Sequence, residues 1–211
     1  MNSFLHPSLR SISTLLVLGA ALAGPGSASA QQILPREEAL KYASVAALHA
    51  PPAAQLPLRV DADLKQPVAG HDEDYGVLLL PDARLSAAAL EKVGAEVVPI
   101  GQLWLRKLTP MVDGAAVGES RLLLVNVRHE GESARVPLCL LGARRTSAGT
   151  LELVVYGKGT EPLTRVELRK APRSQSLPLE ISAERDYDRG RLTLHVAGQY
   201  AATLSVTELP D

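Results

Sequence analysis

The central part of the chain, residues 121–156, constrains the fold most strongly because three short apolar runs follow one another there. The runs cover residues 122–127, 136–141 and 151–156 and are rich in Val and Leu. Polar clusters that contain glycine separate them, at residues 129–132 and 146–149. Runs of this length, cut by such clusters, are typical of β-strands joined in an antiparallel meander.

The C-terminal residues predict a β-hairpin whose two faces differ in polarity. Apolar residues recur at every second position and are expected to face the core: Leu192, Leu194, Val196, Ala202, Leu204 and Val206. Thr193 and His195 alternate with them and are expected to face solvent, and Gly198 falls in the turn. Together with further runs, this pattern predicts a mainly β protein, an antiparallel β-sandwich of about ten short strands with one or two short helices. An open α+β sheet is the alternative.

Three further regions predict additional elements. Residues 35–49 predict a short helix, with a proline at its start and acidic residues in its first turn, and a Pro/Ala linker follows it. Residues 56–64 alternate apolar and polar side chains and predict a strand. Residues 96–100 and 102–108 predict two strands with a break near Gly101.

The N-terminus has the order of features expected of a Sec-type signal peptide. Arg10 precedes an apolar segment at residues 12–23, and Ala28-Ser29-Ala30 forms an A-x-A cleavage site. We therefore expect cleavage after Ala30, export to the periplasm or the medium, and no membrane span afterwards; a retained anchor is the alternative. The expected division is a signal peptide at 1–30, a helix and linker at 31–54, and a β-sandwich domain at 55–211.

Composition narrows the classes of partner. The formal net charge is only −1, which argues against nucleic acid as the main partner. Cys139 is the only cysteine, so no internal disulfide can form, and it lies within an apolar run. We expect a buried thiol there; a catalytic thiol is the alternative.

Trp104, Gln102, Arg106 and Tyr156 are the candidate ligand-binding residues. Trp104 shares one face of its predicted strand with Gln102 and Arg106. An exposed tryptophan between hydrogen-bonding side chains would suit a carbohydrate, by stacking and polar contacts. The alternative is that Trp104 anchors the core. Tyr156 would extend the same surface or cover the sheet.

Asp72, Glu73 and Asp74 are the candidate metal ligands. Three consecutive acidic residues offer oxygen ligands of the kind that Ca²⁺ requires, but they match no EF-hand spacing. A solvated polar loop is the alternative, and no cofactor is expected.

No catalytic motif stands out in the chain. There is no Gly-x-Ser-x-Gly elbow and no pair of histidines at metal-ligand spacing. Whether the protein is an enzyme is open, with a non-enzyme favoured. The sequence indicates an exported β-sandwich that acts by binding or scaffolding, with an unknown protein or glycan as partner. The alternatives are a carbohydrate-binding module using Trp104 and a hydrolase whose site is assembled only in the fold.

Overall fold

The computed structural model describes residues 32–72, 74–129, 131–186 and 189–210. These residues contain two α-helices, α1 (Arg36–His49) and α2 (Ala87–Glu91). The first seven strands are β1 (Gln32–Ile33), β2 (Val68–Asp72), β3 (Tyr75–Pro81), β4 (Val98–Arg106), β5 (Leu108–Val112), β6 (Ala115–Ala116) and β7 (Leu123–His129). The others are β8 (Glu132–Arg145), β9 (Leu151–Tyr156), β10 (Pro162–Glu167), β11 (Arg169–Lys170), β12 (Leu179–Asp186), β13 (Arg189–Val196) and β14 (Tyr200–Glu208). Short 3-10 helices cover Ala53–Gln55 and Glu119–Arg121.

The strands form two antiparallel sheets that pack face to face. The large sheet has the order β1-β2-β3-β4-β8-β9-β10, with β7 also paired to β8. The small sheet has the order β12-β13-β14-β5-β6, with β11 also paired to β14. One apolar core lies between the sheets and draws residues from both. The predicted antiparallel β-sandwich is therefore confirmed.

The two sheets differ in how many of their faces are buried. The inner face of the large sheet packs on the small sheet, and a second apolar cluster covers its outer face. Its central strands are therefore buried on both sides, which explains why β3, β8 and β9 are apolar at consecutive positions. The small sheet exposes its outer face, and its strands alternate.

Helix α1 lies on the outer face of the large sheet. The residues that it buries are all alanines, Ala39, Ala43 and Ala46, so the helix can approach the sheet closely. At its last turn His49 connects the helix to β7: Nδ1 donates to the carbonyl of Val45 at 2.9 Å and Nε2 accepts from the amide of Arg128 at 3.2 Å. This histidine therefore fixes the distance between the helix and β7.

The central meander is confirmed, but it is not a flat row of three strands. Leu138 of β8 pairs with Leu123 of β7, and Leu140 of β8 pairs with Tyr156 of β9. Strand β4 occupies the opposite edge of β8 at both positions, so β7 and β9 follow one another along a single edge. The β7–β8 hairpin consequently extends past β9 and meets α1.

The predicted strand at residues 56–64 is wrong. This segment is irregular except for one isolated bridge, between Ala62 and Asp82. The buried carboxylate of Asp82 accepts the amides of Asp61 and Arg84 at 2.9 and 3.0 Å. The amide of Asp61 is thus bound by a side chain, and the segment keeps only two backbone hydrogen bonds to residues 81–83, too few for a ladder.

The predicted break at Gly101 is also wrong, because β4 continues through it. The strand has only a register shift between Pro99 and Gly101. A side chain at Gly101 would come within 2.7 Å of Leu179 in β12, so the glycine provides room for the small sheet to pack. The strand ends instead at Lys107, whose φ of 55° turns the chain from β4 in the large sheet to β5 in the small one.

Candidate functional site

A groove opens on the outer face of the large sheet, between α1 and the β7–β8 hairpin. We call it the α1 groove; its volume is about 400 Å³. Tyr42 and Ala46 of α1 form one wall, and Val127 and Ala134 of the hairpin form the opposite wall. Because β7 continues past β9 toward α1, the two walls face each other across the outer face of the large sheet.

The floor of the α1 groove is apolar and is set by strand register. Ala69, Leu78 and Trp104 lie side by side on β2, β3 and β4. All three are at most 8% exposed. The indole N–H of Trp104 donates to Gln102 Oε1 at 3.1 Å, so its polar atom is satisfied within the sheet. The ring can therefore present carbon to the groove at no cost in unpaired polar groups.

The mouth of the groove is polar and lies one register step further out. There His71, Gly76 and Arg106 are cross-strand neighbours. A side chain at Gly76 would lie 3.3 Å from Cβ and 3.7 Å from Cδ of Arg106, so the glycine leaves room for the arginine chain over β3. The guanidinium of Arg106 is thereby placed at the edge of the apolar floor.

Two opposite charges at the mouth have no partner within the described part of the chain. Arg106 and Glu132 both line the groove and are exposed, and neither forms an ion pair or a side-chain hydrogen bond with a described residue. His129 also lines the mouth, where its ring meets that of Tyr42 edge-on, with 6.4 Å between the ring centroids. Because no described residue pairs with them, Arg106 and Glu132 are available to bind a ligand.

The four predicted ligand-binding residues share one face of the large sheet, but only two reach the groove. Trp104 and Arg106 line it. Gln102 and Tyr156 are 6% and 9% exposed and lie in the outer apolar cluster or beside it. With Trp104 only 3% exposed, its ring presents no open surface on which a sugar ring could stack.

The predicted metal ligands point to different basic partners. Asp72 forms an ion pair with Arg185 of β12 at 3.3 Å, and Asp74 pairs with Lys107 at 3.1 Å. Glu73 lies outside the described residues. No group of three or more His, Cys, Asp or Glu side chains in the described ranges is arranged to hold a metal. The ion pair of Asp72 therefore connects β2 of the large sheet to β12 of the small sheet.

Arg185 also lies over the ring of Tyr75, 4.8 Å from its centroid, which adds a cation–π contact to that connection. Burial, together with a hydrogen bond to Glu208, raises the pKa of the Tyr75 hydroxyl. Tyr75 therefore stays neutral at physiological pH.

One serine and one histidine come within hydrogen-bonding distance, on the outer face of the small sheet. Ser182 Oγ lies 3.2 Å from His195 Nε2. In a serine triad an acid binds the other ring nitrogen, but Nδ1 of His195 is buried and has no hydrogen-bond partner among the described residues. The nearby Glu180 accepts instead from the amides of Ser176 and Leu177. The pair thus lacks the group that would orient its base.

Cys139 lies in the core between the sheets and is fully buried. Burial raises the pKa of its thiol to about 12. A thiol with this pKa is protonated at physiological pH and is a poor nucleophile. The geometry therefore favours the structural interpretation of Cys139 over the catalytic one.

A second cavity, of about 590 Å³, lies at one end of the small sheet. Its lining is dominated by charged side chains, and Met111 supplies the only apolar side chain among the described residues that line it. Two of the charges neutralise each other, since Arg191 and Glu184 pair at 2.6 Å. Binding sites for small molecules are mostly apolar with a few polar groups, so the α1 groove is the better candidate despite its smaller volume.

Sequence reasoning missed most of the groove lining. Tyr42, His129 and Glu132 lie far from Trp104 in the chain, and only the packing of α1 and the hairpin brings them together. One usable signal was the exposed aromatic side chain in a helix otherwise rich in alanine; Tyr42 is 46% exposed.

Comparison with protein-family models, with curated proteins and with solved structures finds no match for this chain. Among the described helices, none combines the length and apolar character needed to span a membrane.

Proposed function

We propose that the protein is a non-catalytic binding protein of the periplasm or cell envelope, and that its ligand occupies the α1 groove. The observation that carries this proposal is the combination of a preformed apolar floor with two charges at its mouth, Arg106 and Glu132, that have no partner among the described residues. Sites for small molecules have this composition, with apolar surface for affinity and few polar groups for orientation. The groove volume of about 400 Å³ is in the range of such sites.

Binding is favoured over catalysis by the chemistry of the lining. No serine, threonine, cysteine or lysine is among the residues that line the groove, so the usual nucleophiles are missing from its described walls. The hydrolase alternative has no comparable support, because the pair Ser182 and His195 lies outside both cavities. The carbohydrate alternative is disfavoured by the burial of Trp104.

The location in the envelope rests on the sequence of the first thirty residues, with a charged start, an apolar segment and an A-x-A site. The partner is then a molecule available in that compartment. A small organic ligand fits the groove better than a protein chain would, since the cavity is narrow and bounded on two sides by α1 and the hairpin.

Trp104 allows a direct test, because it is the only tryptophan in the chain and lies in the groove floor. The probe is 1-anilinonaphthalene-8-sulfonate, an apolar dye with one anionic group. We expect the dye to bind the purified protein with an increase in its own emission and with energy transfer from Trp104. Replacing Ala134, which lines the groove, by Phe should weaken dye binding at least tenfold by filling the site.

The matched control is Ala148→Phe, at an exposed turn position outside the groove. This variant should bind the dye like the wild type. If both variants bind equally well, or if the dye binds without energy transfer from Trp104, the groove is not the binding site and the proposal fails.

A further inference from the structure

On the basis of the groove as the binding site, we infer that its ligand is a monocarboxylate with an apolar chain of medium length. The carboxylate lies at Arg106 and the chain lies along the floor toward Trp104. Each part of this assignment follows from a separate feature of the groove: the position of Arg106, the charge of Glu132, and the composition and volume of the floor.

The position of Arg106 indicates that the head group of the ligand carries a negative charge. It follows Trp104 by two residues on β4, so both side chains point to the same face. Gly76 leaves room beside it, and no carboxylate within the described ranges pairs with it. A guanidinium without an internal partner, at the end of an apolar floor, matches a carboxylate well because its fork of donors can bind both oxygens.

Glu132 limits the ligand to a single negative charge. It lies at the start of β8, next to the turn of the β7–β8 hairpin, and lines the same groove, with no partner within the described ranges. A second negative charge on the head group would lie at the same mouth as Glu132, and like charges at short range repel one another. At the opposite end of the ligand, a second carboxylate would lie on the apolar floor, where a charge without a partner is unfavourable.

The composition and volume of the groove floor indicate the apolar chain of the ligand. Leu78, Trp104 and Val136 offer it only carbon, because the indole N–H is bound to Gln102. If each heavy atom of the ligand takes about the 30 Å³ that a water molecule occupies in the liquid, the groove holds roughly a dozen such atoms. Eight to ten carbons with a carboxylate, as in octanoate and decanoate, fill about this space.

The test compares four ligands of equal length and different charge: octanoate, octanol, octylamine and octanedioate. Each is titrated into the purified protein, with Trp104 emission and calorimetry as readouts. We expect octanoate to bind roughly tenfold or more tightly than octanol, as expected for a charge-assisted hydrogen bond, and the other two to bind more weakly still. Along the series from butanoate to decanoate, affinity should rise roughly twofold to fourfold per methylene group.

Two variants assign the selectivity to its residues. Arg106→Gln should reduce the preference for octanoate over octanol to nearly none, whereas Arg165→Gln, at an exposed arginine of β10 outside the groove, should leave it unchanged. Glu132→Gln removes the negative charge beside the head group and should tighten octanoate binding several-fold while leaving octanol binding unchanged. Because octanol carries no charge, its binding to both groove variants shows that they remain folded.

Three results would overturn the inference. Equal binding of octanoate and octanol would exclude Arg106 as the head-group site, and tighter binding of octylamine would reverse the sign of the ligand. If none of the four ligands binds while the anilinonaphthalene dye still binds with energy transfer, this ligand class is excluded and the groove remains the binding site. Loss of dye binding as well would instead remove the proposed function.

Discussion

At the scale of single residues, the hairpin of β13 and β14 separates core side chains from surface ones. Leu194 and Leu204 are 0% and 3% exposed in the core between the sheets. Replacing either by Ala should lower the free energy of unfolding by about 2–5 kcal/mol, from lost burial and the cavity that remains. Thr193→Ala and Ser205→Ala, on the solvent face, should cost less than about 1 kcal/mol. Denaturant melts of the four variants measure the difference.

Thr193 is the more demanding control of the two, because Thr193→Ala also removes a hydrogen bond. The hydroxyl of Thr193 lies 3.0 Å from that of Thr203 on the neighbouring strand. This bond is exposed, so its loss should add little. If Thr193→Ala proved as damaging as Leu194→Ala, the inner and outer faces of the hairpin would have to be exchanged.

His195 makes stability depend on pH in a defined direction. Burial, together with the nearby charge of Arg173, lowers the pKa of its ring below the ordinary value of 6.5. The unfolded chain therefore takes up a proton more readily than the folded one as the pH falls. Stability that is present above pH 6.5 is lost as the pH falls toward the depressed folded pKa.

The test is to measure denaturant melts at about pH 7.5 and about pH 5 for the wild type and for His195→Gln. The variant should lose less stability between the two values, because its side chain does not titrate. Ser182→Ala keeps the titrating ring and should retain most of the wild-type pH dependence. If the wild type and His195→Gln lost the same free energy of unfolding between the two pH values, the ring would be protonated equally easily in the folded and unfolded chain, and the prediction would be wrong.

At the scale of elements, α1 depends on the small size of its buried side chains. Ala43 is 0% exposed against the large sheet, whereas Ala47 on the same helix points to solvent. Ala43→Leu should force the helix away from the sheet and cost about 1–3 kcal/mol. Ala47→Leu introduces the same side chain on the free face and should be nearly neutral. Comparable unfolding midpoints for the two variants would contradict the packing of α1.

At the level of single elements, sequence periodicity predicted the strands well where burial of one or both strand faces determines the order of apolar residues. The alternation from Leu192 to Val206 reports one buried and one wet face, and the unbroken runs in β3, β8 and β9 report burial on both. Periodicity failed at residues 56–64, where the alternation is similar but Asp82 takes the backbone amide of Asp61. The periodicity of one segment cannot show that a side chain from a distant segment will bind its backbone.

At the scale of the whole molecule, the first prediction concerns processing. If the chain is exported as proposed, protein recovered from the envelope fraction should begin at Gln31, because the A-x-A site ends at Ala30. Intact mass and N-terminal sequencing measure this. Replacing Ala28 and Ala30 by Leu should block cleavage and increase the mass by that of the leader. Recovery of residues 1–30 on the wild-type envelope protein would contradict a cleaved signal.

The candidate site could be predicted only in part, for a reason that acts at this scale. The sequence placed Trp104, Gln102 and Arg106 on one face of a strand, and the structure confirms that shared face. Whether that face is open or covered depends on where α1 and the β7–β8 hairpin pack. That packing is determined by contacts between distant segments, so strand periodicity alone could not distinguish a sugar platform from a groove floor.

The pairing of β5 with β14 also bears on when the chain can fold. These strands are neighbours in the small sheet, yet nearly half of the chain separates them. Contacts between distant segments form late, because the entropy of closing the intervening loop must be overcome first. The small sheet therefore cannot close until the last residues arrive. If the chain is exported as proposed, it should complete its fold only after β14 has left the translocation channel.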